Sequence, residues 1–192
     1  MSRVLERSFN FGHAALVTTL GGVNESRLRQ VVSEHFEVLW RFLRRLGIAD
    51  ADLDDAVQEV VLVLARKLHQ VQIGCERSFV LSTAVRVASG LRRALRNRRE
   101  VDDAGLAELE SPELNPEALA EKRRLRVVLQ RILNQLPLEL RAVFVLYELE
   151  ELTMAEIAAT LDLPPGTVAS RLRRAREQFE TLASSAVEGL AS

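Results

Sequence analysis

Cysteine is almost missing from this chain. Cys75 is the single one in 192 residues, which excludes an internal disulfide framework and any zinc site built from several thiolates. Aromatic residues are 5% of the total, and 9 Gly and 5 Pro are too few for a loop-rich all-β protein. No apolar run reaches the ~18 residues of a membrane-spanning helix, so membrane insertion is not expected. The short Ala14–Leu20 stretch has no small-residue cleavage site close behind it, which argues against a secretory leader. His13, His35 and His69 stand far apart, without companions at metal-ligand spacing. Neither a P-loop nor a dinucleotide-binding glycine pattern occurs. The expectation is a cytoplasmic protein that is not an enzyme, with no catalytic residue, no metal and no cofactor.

What the chain has in quantity is leucine, 32 residues of it, within a 47% hydrophobic composition that suffices for a buried core. The formal net charge of -1 conceals segregation. Residues 26–99 carry 14 basic and 8 acidic groups, residues 100–121 carry 8 acidic and no basic ones, and residues 122–192 carry 10 and 9. Basic blocks flanking an acidic strip point to a polyanion as partner of the former.

Helical periodicity organises the rest. From Ser26 on, Val32, Phe36, Leu39, Leu43 and Leu46 step by 4, 3, 4, 3 along one face, and Gly47 is placed to end that helix. A second helix is expected to start at Asp50 or Asp52, with Leu53, Val57, Val60/Val61, Leu64 and Leu68 inward. A loop at Gly74-Cys75 follows, then a third helix capped by Ser78, with Leu81, Ala84/Val85, Ala88, Leu91 and Leu95 inward. Past the acidic strip, Asn115 and Pro116 read as cap and first position of another helix, whose inner face is Leu125, Val128/Leu129, Ile132 and Leu136. A short helix after Pro137 carries Leu140, Val143, Phe144 and Tyr147. Thr153-Met-Ala-Glu156 is a capping box that opens a helix ending near Leu161. A tight turn over Asp162–Gly166 leads to a longer helix from about Thr167 to Leu182, which completes a helix-turn-helix pattern. The expected fold is all-α. Two small helical domains, 26–99 and 120–183, are joined by a flexible acidic linker, 100–119. A poorly ordered extension, 1–25, precedes them, and a tail, 184–192, follows.

Arginine clusters twice. Arg86, Arg92, Arg93, Arg96, Arg98 and Arg99 fall on the third helix with no acid between them. Arg171, Arg173, Arg174 and Arg176 fall on the second helix of the helix-turn-helix. One such cluster alone would be an ordinary solvated face. Two of them, one inside a helix-turn-helix frame, indicate a nucleic acid, since guanidinium groups suit both phosphate contacts and bidentate readout of guanine.

Particular strings sharpen this. Asp54-Asp-Ala-Val-Gln-Glu-Val60, Arg77-Ser-Phe-Val80 and the Arg-rich helix after it resemble region 2 of bacterial RNA polymerase sigma factors. Leu133-Asn-Gln-Leu-Pro137, Glu156-Ile-Ala-Ala159 and Gly166-Thr-Val-Ala-Ser-Arg-Leu-Arg-Arg-Ala-Arg176 resemble region 4. Possession of these two regions alone is similar to the extracytoplasmic-function (ECF) group of the sigma-70 superfamily. The resemblance implies a free monomer that binds core RNA polymerase and promoter DNA, with an anti-sigma protein as a further possible partner. It implies that Asp54, Asp55, Gln58 and Glu59 meet the polymerase. Arg77, Phe79, Ser82, Arg86, Arg92, Arg93 and Arg96 would open the -10 element. Thr167, Ala169, Ser170, Arg171, Arg173, Arg174 and Arg176 would read the -35 element. The strand-opening helix departs from the pattern, with Leu81, Ser82, Thr83 and Val85 where relatives often carry aromatic and basic residues. Two other readings stay open: a stand-alone helix-turn-helix regulator, and a sigma-like decoy that binds an anti-sigma protein.

Overall fold

The computed structural model describes residues 22–99 and 116–191. The expected extension before residue 22, the acidic stretch 100–115 with Asn115, and Ser192 lie outside the described residues. Seven α-helices make up what is described: α1 (Gly22–Arg45), α2 (Leu53–Lys67), α3 (Glu76–Arg99), α4 (Pro116–Gln135), α5 (Leu138–Glu148), α6 (Met154–Leu161) and α7 (Pro165–Ala191).

In the first module α1, α2 and α3 pack pairwise on one another. Helix α1 is described from Gly22 and already runs through the expected start at Ser26. It ends as expected. Gly47 takes φ +87, and two amides fold back, Gly47 N to the Arg44 carbonyl at 2.9 Å and Ile48 N to the Leu43 carbonyl at 3.2 Å. A 3-10 turn, Asp50–Asp52, feeds α2, and the Asp52 side chain caps nothing. The start is where the sequence put it, but the favourable charge comes from Asp54 and Asp55 in the first turn, near the positive end of the helix dipole.

Helix α3 starts at Glu76, so the expected cap at Ser78 is corrected. The Glu76 carboxylate accepts from the Gly74 amide at 2.6 Å and from Arg27 at 2.7 Å, leaving Ser78 inside the helix. Arg27 also donates to the carbonyls of Leu68 (3.1 Å) and Val71 (2.8 Å), so one α1 side chain ties down the α2–α3 connection. Its hydrogen bond holds the Glu76 carboxyl below the usual carboxylate range. The expected stripes are buried at Val32, Leu39 and Leu43 on α1, with Leu46 just past its end, at Leu53, Val57, Val60, Val61 and Leu64 on α2, with Leu68 in the turn after it, and at Leu81, Ala84 and Ala88 on α3. Val80 and Val87 join them.

In the second module α5 is the central helix, with every residue from Leu140 to Leu146 buried. A helix buried on all sides needs neighbours on all sides. Helices α6 and α7 pack on it and on each other, and α4 packs on α7. Leu125, expected to face inward, is 59% exposed, because the buried residues of α4 are Ile132 and Leu133 in its later turns, followed by Leu136 just past its end. The turn before α7 is shorter than expected. Asp162 adopts the left-handed conformation at φ 54, Leu163 N bonds the Ala158 carbonyl at 3.0 Å, and Pro165 already occupies the first helical position. The helix then continues to Ala191, through most of the segment expected to be a tail.

The two modules touch. Helix α3 lies against α6, α1 meets α4, and the buried apolar residues of both belong to one cluster.

Candidate nucleic-acid interface

Thr153 is fixed in extended backbone ahead of α6, where its hydroxyl accepts the Glu156 amide at 3.3 Å. The Glu156 carboxylate answers by accepting the Thr153 amide at 2.7 Å, so the capping box is complete. The Thr153 hydroxyl also donates to the Glu156 carboxylate at 2.7 Å, and this bond, with that of the Thr153 amide, holds the Glu156 carboxyl below its usual range. Thr153→Ala is expected to cost about 1 kcal/mol, read as a lowered urea midpoint with an unchanged m-value.

The box orients α6, and α6 with α5 orients α7. Val168, Leu172 and Ala175 are buried, which turns the remaining α7 positions outward. Ala169, Ser170, Arg173, Arg174 and Arg176 are exposed, while Thr167 and Arg171 are half-buried at the rim. Arg171 and Arg174 make no side-chain hydrogen bond or ion pair with a described residue. Arg173 pairs with Glu177 one turn on, at 2.6 Å. Arg176 is engaged elsewhere in the module. Its guanidinium bonds Glu148 at 2.7 Å and lies over the Tyr147 ring, 5.0 Å from the centroid, pinning α7 to α5. The Glu148 hydrogen bond raises the Arg176 pKa.

On the first module, Asp54, Asp55, Gln58 and Glu59 are all exposed, on the side of α2 away from buried Leu53, Ala56, Val57 and Val60. Spacing of i, i+4 makes them one continuous polar ridge. On α3, Arg86 and Arg93 are exposed and Arg92 is half-buried, as the helical spacing requires; the Arg96 and Leu95 side chains lie outside the described residues. The N-terminal half of α3 is less open. Phe79 is half-buried, and Ser82 is 9% exposed and donates to the Phe79 carbonyl at 3.0 Å. Arg77 is bound by Glu150, to its carbonyl at 2.9 Å and its carboxylate at 3.5 Å.

The sequence reading missed the residues that join the modules. Arg141, 1% exposed, donates to the carbonyls of Leu46 (2.8 Å) and Leu136 (3.0 Å) and to Asn134 Oδ1 (3.1 Å). Burial lowers its pKa to about 9, with a further push from the charge of Arg92. Gln130 donates to the Arg44 carbonyl at 2.8 Å, and Ser78 and Thr160 share a hydroxyl–hydroxyl bond of 2.6 Å. Arg141 had one visible signal: it stands inside Leu140–Leu146, a run apolar on every face. Among the described residues, no group of three or more His, Cys, Asp and Glu side chains could hold a metal ion, and no helix is long and apolar enough to cross a membrane.

A capped short helix, a tight turn and a longer arginine-faced helix, carried beside a second helical module, define an all-helical protein of the helix-turn-helix class. Comparison with known proteins narrows the class. The family model described as Sigma-70, region 4, matches residues 126–179. The ECF RNA polymerase sigma-E factor of Escherichia coli is 32% identical over 146 residues, covering 69% of this chain and 74% of that one. The ECF RNA polymerase sigma factor SigE of Mycolicibacterium smegmatis is 31% identical over 151 residues, covering 78% of this chain and 59% of the longer relative. Among solved structures, the sigma factor RpoE of Bartonella quintana, in complex with the anti-sigma factor NepR, superimposes with a TM-score of 0.64 at 19% identity, over 81% of this chain and 96% of that one. CnrH, in complex with the cytosolic domain of CnrY, superimposes with a TM-score of 0.60 at 22% identity, over 90% and 94%. The chain belongs to the ECF sigma factors of the sigma-70 family, a family that is not enzymatic.

Proposed function

We propose that this chain acts in the cytoplasm as a monomeric sigma factor, binding core RNA polymerase and directing it to a set of promoters. Residues 26–99 serve as region 2 and residues 120–183 as region 4. Asp54, Asp55, Gln58 and Glu59 meet the polymerase. Phe79, Arg86, Arg92, Arg93 and Arg96 hold the opened -10 element, joined by Arg77 and Ser82 once these are uncovered. Thr167, Ala169, Ser170, Arg171, Arg173 and Arg174 face the -35 element, with Arg176 setting the angle of α7.

One observation carries this reading. A module separate from the helix-turn-helix displays four polar side chains of α2 on its solvent face, a surface for which a stand-alone regulator has no use. Run-off transcription with purified core polymerase on genomic fragments, with 5′ ends mapped, tests it. New start sites that depend on the chain support it, and unchanged template choice overturns it. Glu59→Ala is expected to weaken capture of the core enzyme, seen as loss of co-elution, while the fold and the affinity for duplex DNA stay as they were.

An anti-sigma protein as a regulatory partner is the second reading, favoured by the likeness in fold to the sigma factor RpoE, solved with the anti-sigma factor NepR. DNA binding itself carries a salt signature. With ~6 arginines on phosphates, log K is expected to fall with log salt at a slope near -5, measured by fluorescence anisotropy on a promoter duplex.

A further inference from the structure

The contacts between the modules are unusual for a chance meeting of two tethered bodies. They are polar and specific. Glu150 sits in the turn after α5 with its side chain only 3% exposed, and that side chain pairs with two arginines of the other module: Arg45 of α1 at 2.8 Å and Arg77 of α3 at 3.5 Å. Among the described residues the Glu150 side chain makes no hydrogen bond or ion pair within its own module, so its burial is of use only when the modules are together. Arg141 is buried with a bond across the seam to the Leu46 carbonyl. Gln130 reaches the Arg44 carbonyl, and Ser78 meets Thr160. A buried charge is tolerated only with its partners in place, so such a seam favours one arrangement over a continuum of loose ones.

This arrangement does not suit two-site DNA reading. Helix α6 rests on α3, and α7 rests on α6. Packed helices lie 8–10 Å apart, which puts the recognition helix within about 20 Å of the strand-opening helix. Sites separated by even one DNA turn are about 34 Å apart. The same seam binds Arg77 to Glu150 and takes the Ser78 hydroxyl. Between Arg99 and Pro116 the chain can reach up to roughly 50 Å when extended, so the tether permits separation.

We propose that the seam between the modules is a self-closing latch, with Glu150 as its charged hub, that keeps the free chain folded on itself and unable to engage both promoter elements until polymerase draws the modules apart. The anti-sigma partner is not needed for closure; it would bind a chain already shut. The inference rests on the sigma-factor reading for its consequence but not for its existence, and the test separates the two.

The full-length chain is labelled with a donor and acceptor dye pair at native Cys75, which is exposed, and at Ser185→Cys on the exposed side of α7. The free wild-type chain is expected to give one high-transfer population, and Glu150→Lys to raise the open, low-transfer fraction at least tenfold. Arg77→Ala, at a side chain 46% exposed and so harmless to the fold of its own module, is expected to act in the same direction more weakly. Far-ultraviolet circular dichroism confirms that each variant is helical. Adding core polymerase to the wild type is expected to convert it to low transfer. Low transfer in the free wild-type chain overturns the latch, and so does high transfer unchanged in both Glu150→Lys and Arg77→Ala. High transfer that persists in the polymerase complex overturns it as well. A chain that is closed when free, opens in Glu150→Lys and yet never binds polymerase supports the latch and overturns the sigma-factor reading instead.

Discussion

Replacing Arg171 and Arg174 together by alanine is expected to abolish promoter-directed run-off transcription while leaving association with core polymerase intact. Arg174 is exposed and Arg171 half-buried at the rim of α7, and neither has a bonded partner among the described residues. Their removal therefore strands no buried group and should leave the thermal midpoint within a degree or two of wild type. On DNA the consequence is different. A guanidinium that reads guanine in the major groove contributes roughly 1–3 kcal/mol of discrimination, so two such contacts together would separate promoter from random duplex by at least about thirtyfold. Their loss should be seen as a collapse of promoter-specific transcripts with little change in co-elution of the chain and the core enzyme. Equal loss of both would mean that the variant had misfolded, or that α7 is part of the polymerase contact. Arg176→Ala is the informative companion. Its guanidinium is held by Glu148 and Tyr147, so its effect should reach DNA only through the tilt of α7 and should be markedly smaller.

Much of this surface was legible in the amino-acid order. The capping box over Thr153–Glu156 needs only four residues and a hydrogen-bonding rule, and it forms as read. The stripe on α1 and the polar ridge on α2 follow from a period of 3.6, and both occur. Local chemistry has local signatures. Where the reading slipped, a distant partner had intervened. Ser78 resembles an N-cap until Arg27, some fifty positions earlier, fixes Glu76 as the helix start and Thr160, on the other module, takes the hydroxyl. Leu125 fits the inner stripe of α4, yet among the described residues nothing covers it and it is exposed.

The seam was harder still. Glu150 belongs to an acidic run, Glu148, Glu150 and Glu151, that reads as solvated surface. Only the third dimension shows that Glu150 is buried between two arginines while Glu148 and Glu151 are exposed. Arg45 and Arg77 look equally generic. A long-range ion pair carries no periodicity, and charge counting treats each member as free.

Gly47→Ala is expected to be the most destabilising alanine substitution among Gly47, Gly74, Gly90 and Gly166, and Gly74 supplies its control. Gly47 and Gly74 share a left-handed backbone, φ +87 and +90, so each substitution carries the same conformational cost of about 1–2 kcal/mol. Their surroundings differ. At Gly74 an added methyl meets nothing within 4 Å. At Gly47 it would collide with Arg141 Nη1 and stand 2.9 Å from Asn134 Oδ1. The Arg141 guanidinium cannot retreat freely, because it is 1% exposed and is held by three oxygens, one of them the Leu46 carbonyl next to Gly47. Moving it breaks a hydrogen bond to a buried cation, worth about 1.5–3 kcal/mol. The expected total is roughly 3–5 kcal/mol for Gly47→Ala, against the backbone cost alone for Gly74→Ala. At about 2–4 °C per kcal/mol for a chain of this size, the first should lower the thermal midpoint by about 10 °C and the second by only a few degrees. Because Arg141 spans both modules, the loss at Gly47 should also open the seam, and the Gly47→Ala chain should show a raised low-transfer fraction in the labelled protein well below its melting temperature. Equal midpoints for the two alanine variants would mean that Arg141 yields without cost, and that its bond to Leu46 does not help hold the modules together.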